Sequence, residues 1–304
     1  MDDGLEREVR PLDRRALGRA LSRIANASVA ESLAGMQGTS PNAYRIGMTG
    51  PPGAGKSTLI GRFARRRLDG GAQVAVVAID PSSPLTHGAI LGDRIRMDHI
   101  ADNLRLFIRS LASRGANDGL ADNIADVLAT LDSYPFDEVI LETVGVGQAE
   151  HAVRSLVDTL VLVLIPESGD QIQAMKAGML EMADVYVINK ADLPGADKIA
   201  REIRAVLKLK QRVGASWAPP VIMTGAADAN GIAALDEAVS RHQAYLRNST
   251  NTEEVQRRRL EYHLKSLMIR SVAEILARET NSTAESLHAA YARVVESLRK
   301  GIGR

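Results

Sequence analysis

The 304-residue sequence predicts an α/β fold, a mainly parallel sheet flanked by helices. Three observations carry that expectation. Short apolar runs alternate with helical stretches from Ala43 to about residue 247, most of the runs are continuous rather than alternating, and the polar motifs fall at their carboxyl ends. Continuous apolar runs belong to strands covered on both faces, and open parallel sheets carry their sites where the strands end.

Residues 1–42 are expected to form a helical extension. Leu17, Leu21, Ile24 and Ala25 keep a helical spacing after Asp13, a plausible N-cap, and Gly38 to Asn42 read as a linker. Residues 43–247 then read as one nucleotide domain. Its strands are expected at 44–49, 73–79, 104–108, 138–142, 159–165, 185–189 and 221–224. Helices are expected near 55–69, 92–101, 119–131, 171–182, 196–209 and 230–246.

Residues 248–304 form a third segment, a helical arm. Thr250 to Glu253 and Ser282 to Glu285 are capping-box patterns that open helices. Leu260, Leu264, Leu267, Met268, Val272, Ile275 and Leu276 make one apolar stripe; Leu287, Tyr291, Val294, Val295 and Leu298 make another. Burying each such side chain stabilises by roughly 1.5–3 kcal/mol, so two stripes left in water are costly. They pack on their own domain or on a second subunit. Because the arm follows a complete domain, a homodimer is the preferred expectation.

Composition narrows the function. A net charge of +1 and 3% aromatics give no case for nucleic-acid binding by overall charge or by base stacking. No apolar run spans a bilayer, and the start Met1-Asp2-Asp3-Gly4 is acidic where a signal peptide is basic. The absence of cysteine excludes disulfides and thiolate metal sites. A cytoplasmic protein is expected, without membrane or nucleic-acid partners.

The chemistry is carried by Gly50-Pro51-Pro52-Gly53-Ala54-Gly55-Lys56-Ser57, which fits G-x-x-x-x-G-K-[ST] between a strand and a helix. Its glycines let the backbone curl so that N–H groups and the helix N-terminus face an anion. Lys56 is expected on the β- and γ-phosphates, Ser57 on Mg²⁺, and Thr58 in the same nucleotide-binding turn. Glu142 ends a strand and is expected in the Mg²⁺ shell, and Gly145 leaves room for its N–H to approach the γ-phosphate. Asp80 and Asp93 are candidates for the metal or the attacking water, or else N-caps and Asx-turns. Arg94, Arg96, Arg109 and Arg114 are open as fingers or as structural arginines.

Asn189-Lys190-Ala191-Asp192 is the N-K-x-D pattern of guanine recognition. A carboxylate at Asp192 accepts from both N1–H and the N2 amine of guanine, donors that adenine lacks in that geometry. Thr224-Gly225-Ala226 resembles the loop whose backbone N–H contacts guanine O6. GTP/GDP with Mg²⁺ is therefore expected rather than ATP.

Together with Ala78 to Ser83, Leu91 to Met97, Phe107 to Ser110 and Glu142 to Glu150, these motifs resemble the MeaB/ArgK family. The resemblance runs from about residue 10 to the C-terminus, and Glu142-Thr143-Val144-Gly145-Val146-Gly147-Gln148 is its most specific mark. It implies a P-loop GTPase domain and a dimer joined by the C-terminal helices. It further implies a chaperone whose Mg²⁺–GTP hydrolysis gates cofactor delivery to an adenosylcobalamin-dependent acyl-CoA mutase, methylmalonyl-CoA mutase above all. On the same resemblance Lys56 and Ser57 match the phosphate and metal residues, and Asp80, Asp93 and Glu142 match acidic metal-shell positions. Asp170, Gln173 and Lys176 match a mobile loop that couples nucleotide state to the mutase.

The stretches Ala116 to Gly119 and Pro84 to His87 depart from the family's glycine-rich pattern. They leave open a related mutase acting on isobutyryl-, 2-hydroxyisobutyryl- or ethylmalonyl-CoA. A metallocentre-loading accessory GTPase and a transport-associated ATPase or kinase are the other classes weighed. The first lacks its cysteines here, and Asp192 argues against the second.

Overall fold

The computed structural model describes residues 12–35, 43–80, 98–113, 120–143, 149–166, 182–211, 217–225, 229–248, 251–279 and 286–302. The extension gives α1 (Arg14–Ile24) and α2 (Val29–Gly35). Asp13 caps α1 as expected, its Oδ1 accepting from Ala16 N at 2.8 Å. The domain follows with β1 (Tyr44–Thr49), α3 (Lys56–Asp69), β2 (Val74–Asp80), α4 (Asp98–Ala101), β3 (Leu106–Ala112), α5 (Ile124–Leu131) and β4 (Glu138–Glu142). It is completed by α6 (Ala149–Leu156), β5 (Thr159–Leu164), β6 (Val185–Ile188), α7 (Ala196–Gln211), β7 (Val221–Met223) and α8 (Ala229–Arg247). The arm is α9 (Asn251–Glu279) and α10 (Leu287–Ile302).

The sheet has seven strands in the order β3-β2-β4-β1-β5-β6-β7, and every pairing is parallel. The side-chain period of two divides each strand between two cores. Ile46, Met48, Val76 and Val163 meet Leu59 and Phe63 of α3 and Leu235 and Val239 of α8. On the other face, Ala75, Val77, Val139 and Leu141 meet Leu17 and Leu21 of α1, Leu128 of α5 and Val153 of α6. Burial on both faces explains why these strands read as unbroken apolar runs.

Several expectations need correction. The third strand is Leu106–Ala112, not 104–108, and Leu104 is 81% exposed. The helix expected from 119 begins at Ile124. The periodicity missed α2 and α6, segments of seven and eight residues too short to show a stripe. The linker at 38–42, residues 92–97 of the second predicted helix, and nearly all of that expected at 171–182 lie outside the described residues.

α9 docks on its own domain through polar side chains rather than through its apolar stripe. Asp126 of α5 is almost fully buried and accepts from His263 Nε2 at 2.6 Å, from an Arg270 guanidinium N–H and from Ser32 Oγ at 2.8 Å. Glu274 accepts from the N–H of Val29 at 2.9 Å, and Arg259 pairs with Asp158. Of the predicted stripe Leu267 is buried, whereas Leu260, Leu264, Met268 and Leu276 face solvent with Leu287 and Tyr291 of α10. Thr250 and Ser282 to Glu285 lie outside the described residues; Ser286 Oγ accepts from Ala289 N at the start of α10.

Candidate functional site

The glycine-rich loop joins β1 to α3 at the carboxyl end of the central strand, flanked by β4 and β5. Gly50 has φ 147°, and a Cβ there would stand 2.0 Å from the carbonyl oxygen of Val163. Gly55 has φ 78°, and its Cβ would meet Asn189 Nδ2 at 2.6 Å. Only glycine fits either position. Gly55 also forms the N-cap of α3 without a capping side chain, so the helix's first N–H groups are left for an anion. Pro52, Gly53 and Thr58 are exposed along this mouth, and Ala54 is buried beneath it.

Lys56 is buried and folds back over the loop, its Nζ donating to the carbonyls of Gly50 at 2.8 Å and Pro51 at 3.0 Å. Ser57 Oγ donates to Glu142 Oε1 at 2.8 Å. The parallel register of β1 with β4, which pairs Met48 with Glu142, brings these two residues together from 85 positions apart. Asp80 ends the adjacent β2, two residues past Ala78, the register partner of Glu142; Asp80 is 5% and Glu142 4% exposed. A hydroxyl and two carboxylates in a buried setting are hard oxygen donors of the kind Mg²⁺ takes, and they fit that ion. Thr143 Oγ1 donates to Thr49 Oγ1 at 3.0 Å, tying the ends of β4 and β1 together.

Asn189 sits where β6 ends. Its Nδ2 donates to Ala54 O at 2.7 Å and its Oδ1 accepts from Thr224 Oγ1 at 2.9 Å. One side chain thus fastens the phosphate loop to the loop after β7. Lys190 adopts a left-handed φ of 54°, which turns the chain sharply and carries Asp192 outward. Asp192 is exposed and makes no hydrogen bond with the described residues, leaving its carboxylate available. Backbone bonds from Thr224 N to Ile188 O and from Ala191 N to Thr224 O hold the two loops in register at 2.8 and 2.9 Å.

The structure brings Gly50, Pro52, Gly53, Ala54, Gly55, Lys56, Ser57, Thr58, Asp80, Glu142, Asn189, Lys190, Asp192, Thr224 and Gly225 to the carboxyl ends of β1, β2, β4, β6 and β7. Asp93, Gly145, Ala226, Asp170, Gln173 and Lys176 lie outside the described residues, as do Arg94, Arg96 and Arg114. Arg109 turns away from the loop: its Nη2 donates to Ser22 Oγ of α1 at 2.9 Å on the opposite face of the sheet from α3. One residue was missed. Arg62 of α3 donates from Nη1 to Gly225 O at 2.7 Å, a link that no motif announces.

A glycine loop entering a helix, a serine–glutamate pair beneath it and an asparagine clasp to the base-side loops define a P-loop GTPase. A sequence model of the family described as methylmalonyl-CoA mutase-associated GTPase MeaB matches residues 15–281, and the chain belongs to that family. A Pyrococcus abyssi protein named as a GTPase is 41% identical over 274 residues, covering 88% of this chain and 84% of that one. GTPase ArgK of Escherichia coli is 39% identical over 63% of this chain and 59% of its own. The mitochondrial methylmalonic aciduria type A homolog of Mus musculus is 38% identical over 63% of this chain and 47% of its own. Among solved structures, one titled LAO/AO transport system kinase shares the fold with a TM-score of 0.62 at 24% identity, covering 95% of this chain and 99% of that one. The chain is a GTPase. Among the described residues no helix is long and apolar enough to cross a membrane.

Proposed function

We propose that this GTPase serves an adenosylcobalamin-dependent acyl-CoA mutase, methylmalonyl-CoA mutase in the first place, by coupling GTP hydrolysis to cofactor loading and mutase protection. The family description supports the mutase, and the Ser57–Glu142 pair at the phosphate loop supports Mg²⁺-dependent hydrolysis. In this reading the N–H groups of the loop and of α3 hold the β-phosphate, and Lys56 leaves the Gly50 and Pro51 carbonyls for the β- and γ-oxygens. Ser57, Glu142, Asp80 and Asp93 hold Mg²⁺, which when bound neutralises charge developing on the phosphates. Gly145 faces the γ-phosphate, and Asp170, Gln173 and Lys176 relay its loss to the mutase. The outward apolar stripe of α9 and α10 pairs two copies, which would cover Leu260, Leu264 and Met268.

GTPases of this type turn over at roughly 10⁻⁴ to 10⁻² s⁻¹ without a complete catalytic set. A slow intrinsic rate that rises on adding the mutase is therefore the expected result of a phosphate-release assay. A rate that is fast alone and indifferent to methylmalonyl-CoA mutase and its relatives would remove the partner reading.

Base recognition has two tests. Asp192→Asn should weaken GTP by about tenfold or more and favour xanthosine triphosphate, because a carboxamide matches the O2 of xanthine and leaves a guanine donor unpaired. Unchanged GTP affinity in a fluorescence titration would falsify the assignment. Arg62→Ala should loosen the Gly225 carbonyl and with it the following N–H, which a planar trans peptide sets opposite. GTP and inosine triphosphate should then weaken about tenfold, whereas 2-aminopurine riboside triphosphate, which lacks O6, should be unaffected. Equal weakening of all three would make Arg62 a structural residue only.

A further inference from the structure

A groove of about 720 Å³ lies between α1 and β3, the edge strand farthest from the guanine-side loops. It is built on the sheet face opposite α3, so it is separate from the phosphate loop. Arg14, Arg15, Arg19 and Arg23 of α1 line it together with Arg109 of β3, and no carboxylate among the described residues does. Arg14 is already engaged with the carbonyls of Ala101 and Asn103. The remaining four are not paired with any carboxylate among the described residues.

Local stability does not account for this arrangement. Arg15, Arg19 and Arg23 repeat at i, i+4 and i+8, where like charges destabilise a helix by about 0.2–0.5 kcal/mol per pair. α1 contains no acidic residue to offset them. Gly18 and Ser22 lie on the same face and form a small-residue floor, and the space above Gly18 is open. A glycine inside a helix costs a further ~0.5–1 kcal/mol relative to alanine. Arg109 rises beside that floor, held by Ser22 Oγ, with its Nε buried and without a hydrogen-bond partner. Burial also pushes the Arg109 guanidinium below its ordinary pKa, a cost that an anion would offset.

The chemistry points to phosphate. The cations are all arginines, whose planar forks match phosphate oxygens two at a time, and about 12 Å separates the first of the stripe from the last along the helix. That length suits several linked phosphates better than one. The groove has the size of a small-ligand site, and no aromatic side chain among the described residues lines it to stack on a base. We propose that the α1–β3 trough is a second anion site, which takes the di- or triphosphate group of a soluble ligand.

The test is calorimetric titration of the full chain, saturated with GDP, with inorganic tripolyphosphate. One equivalent should bind, with an affinity that falls steeply as salt rises. Arg19→Gln and Arg109→Lys should each weaken it at least tenfold while leaving GDP affinity unchanged; the lysine keeps the charge and loses the fork. No binding at millimolar tripolyphosphate, or binding by both variants as tight as the parent's, overturns the site. Displacement by polyglutamate as effective as by pyrophosphate overturns the phosphate reading in favour of an acidic protein surface. Pelleting with phosphatidylglycerol vesicles but no response to tripolyphosphate overturns the soluble source.

Discussion

Lys56→Ala is expected to lower kcat for GTP hydrolysis by at least about 10²-fold, the usual effect of removing one preorganised charge from a developing oxyanion. The variant should remain folded, because the Gly50 and Pro51 carbonyls that Lys56 Nζ holds lie in the loop and can turn to water. Single-turnover hydrolysis together with a thermal melt separates the two effects. A melt within ~1 kcal/mol of the parent with hydrolysis abolished is the expected pair of results. Lys56→Arg should not restore activity. The ammonium fits between the Gly50 and Pro51 carbonyls as a compact point donor, and a guanidinium fork is wider than that space. Hydrolysis retained in Lys56→Ala would mean that the loop holds something other than a transferring phosphate.

The largest effect on stability is expected from Asp126→Ala. This carboxylate is nearly inaccessible and joins three elements, since Ser32 belongs to α2, Asp126 to α5, and His263 and Arg270 to α9; α1 packs against α5 as well. Removing it leaves the Arg270 guanidinium, itself largely buried, with only Ala27 O and Ser32 Oγ for partners. Breaking a buried pair on one side costs about 3–5 kcal/mol, so Tm should fall on the order of 5–10 °C. Burial by itself would raise the Asp126 pKa, but the hydrogen bonds from His263, Arg270 and Ser32 outweigh it and hold the carboxyl below its ordinary 3.8. A depressed folded pKa means that this stabilisation is complete above about pH 3.8 and is lost as pH falls through the folded value. The gap in stability between parent and variant should therefore persist across neutral pH and close only in acid. Equal melting temperatures at pH 7 would show that α9 is held by its other contacts.

The same contacts show what apolar periodicity leaves out of the arm. Apolar periodicity finds the stripes on α9 and α10 but leaves open what covers them; the homodimer expectation rests on the arm following a complete domain. In the folded chain α9 is tied to its domain by ion pairs with Asp126 and Asp158, while Leu260, Leu264, Met268 and Leu276 of the stripe stay exposed. No one-dimensional pattern marks Asp126 as buried, because an acidic residue in a helix reads as a solvated one. A net charge of +1 similarly hides the five guanidiniums gathered between α1 and β3. Four of them lie along one helix, and the fifth joins only through the sheet.

By itself the sequence determined the succession of strands and motifs along the chain, the phosphate loop, and the polar residue types at the strand ends. Each rests on local rules: glycine where φ is positive, continuous apolar runs where both faces are covered, short polar motifs where strands end. Tertiary structure alone decided which of those residues meet. Parallel register set Ser57 against Glu142, Asn189 reached back across the sheet to Ala54, Arg62 caught Gly225, and Arg109 turned toward α1 instead of the nucleotide. The reason is physical: such pairs are separated by tens of residues, and only the packing of whole layers brings their side chains within hydrogen-bonding reach.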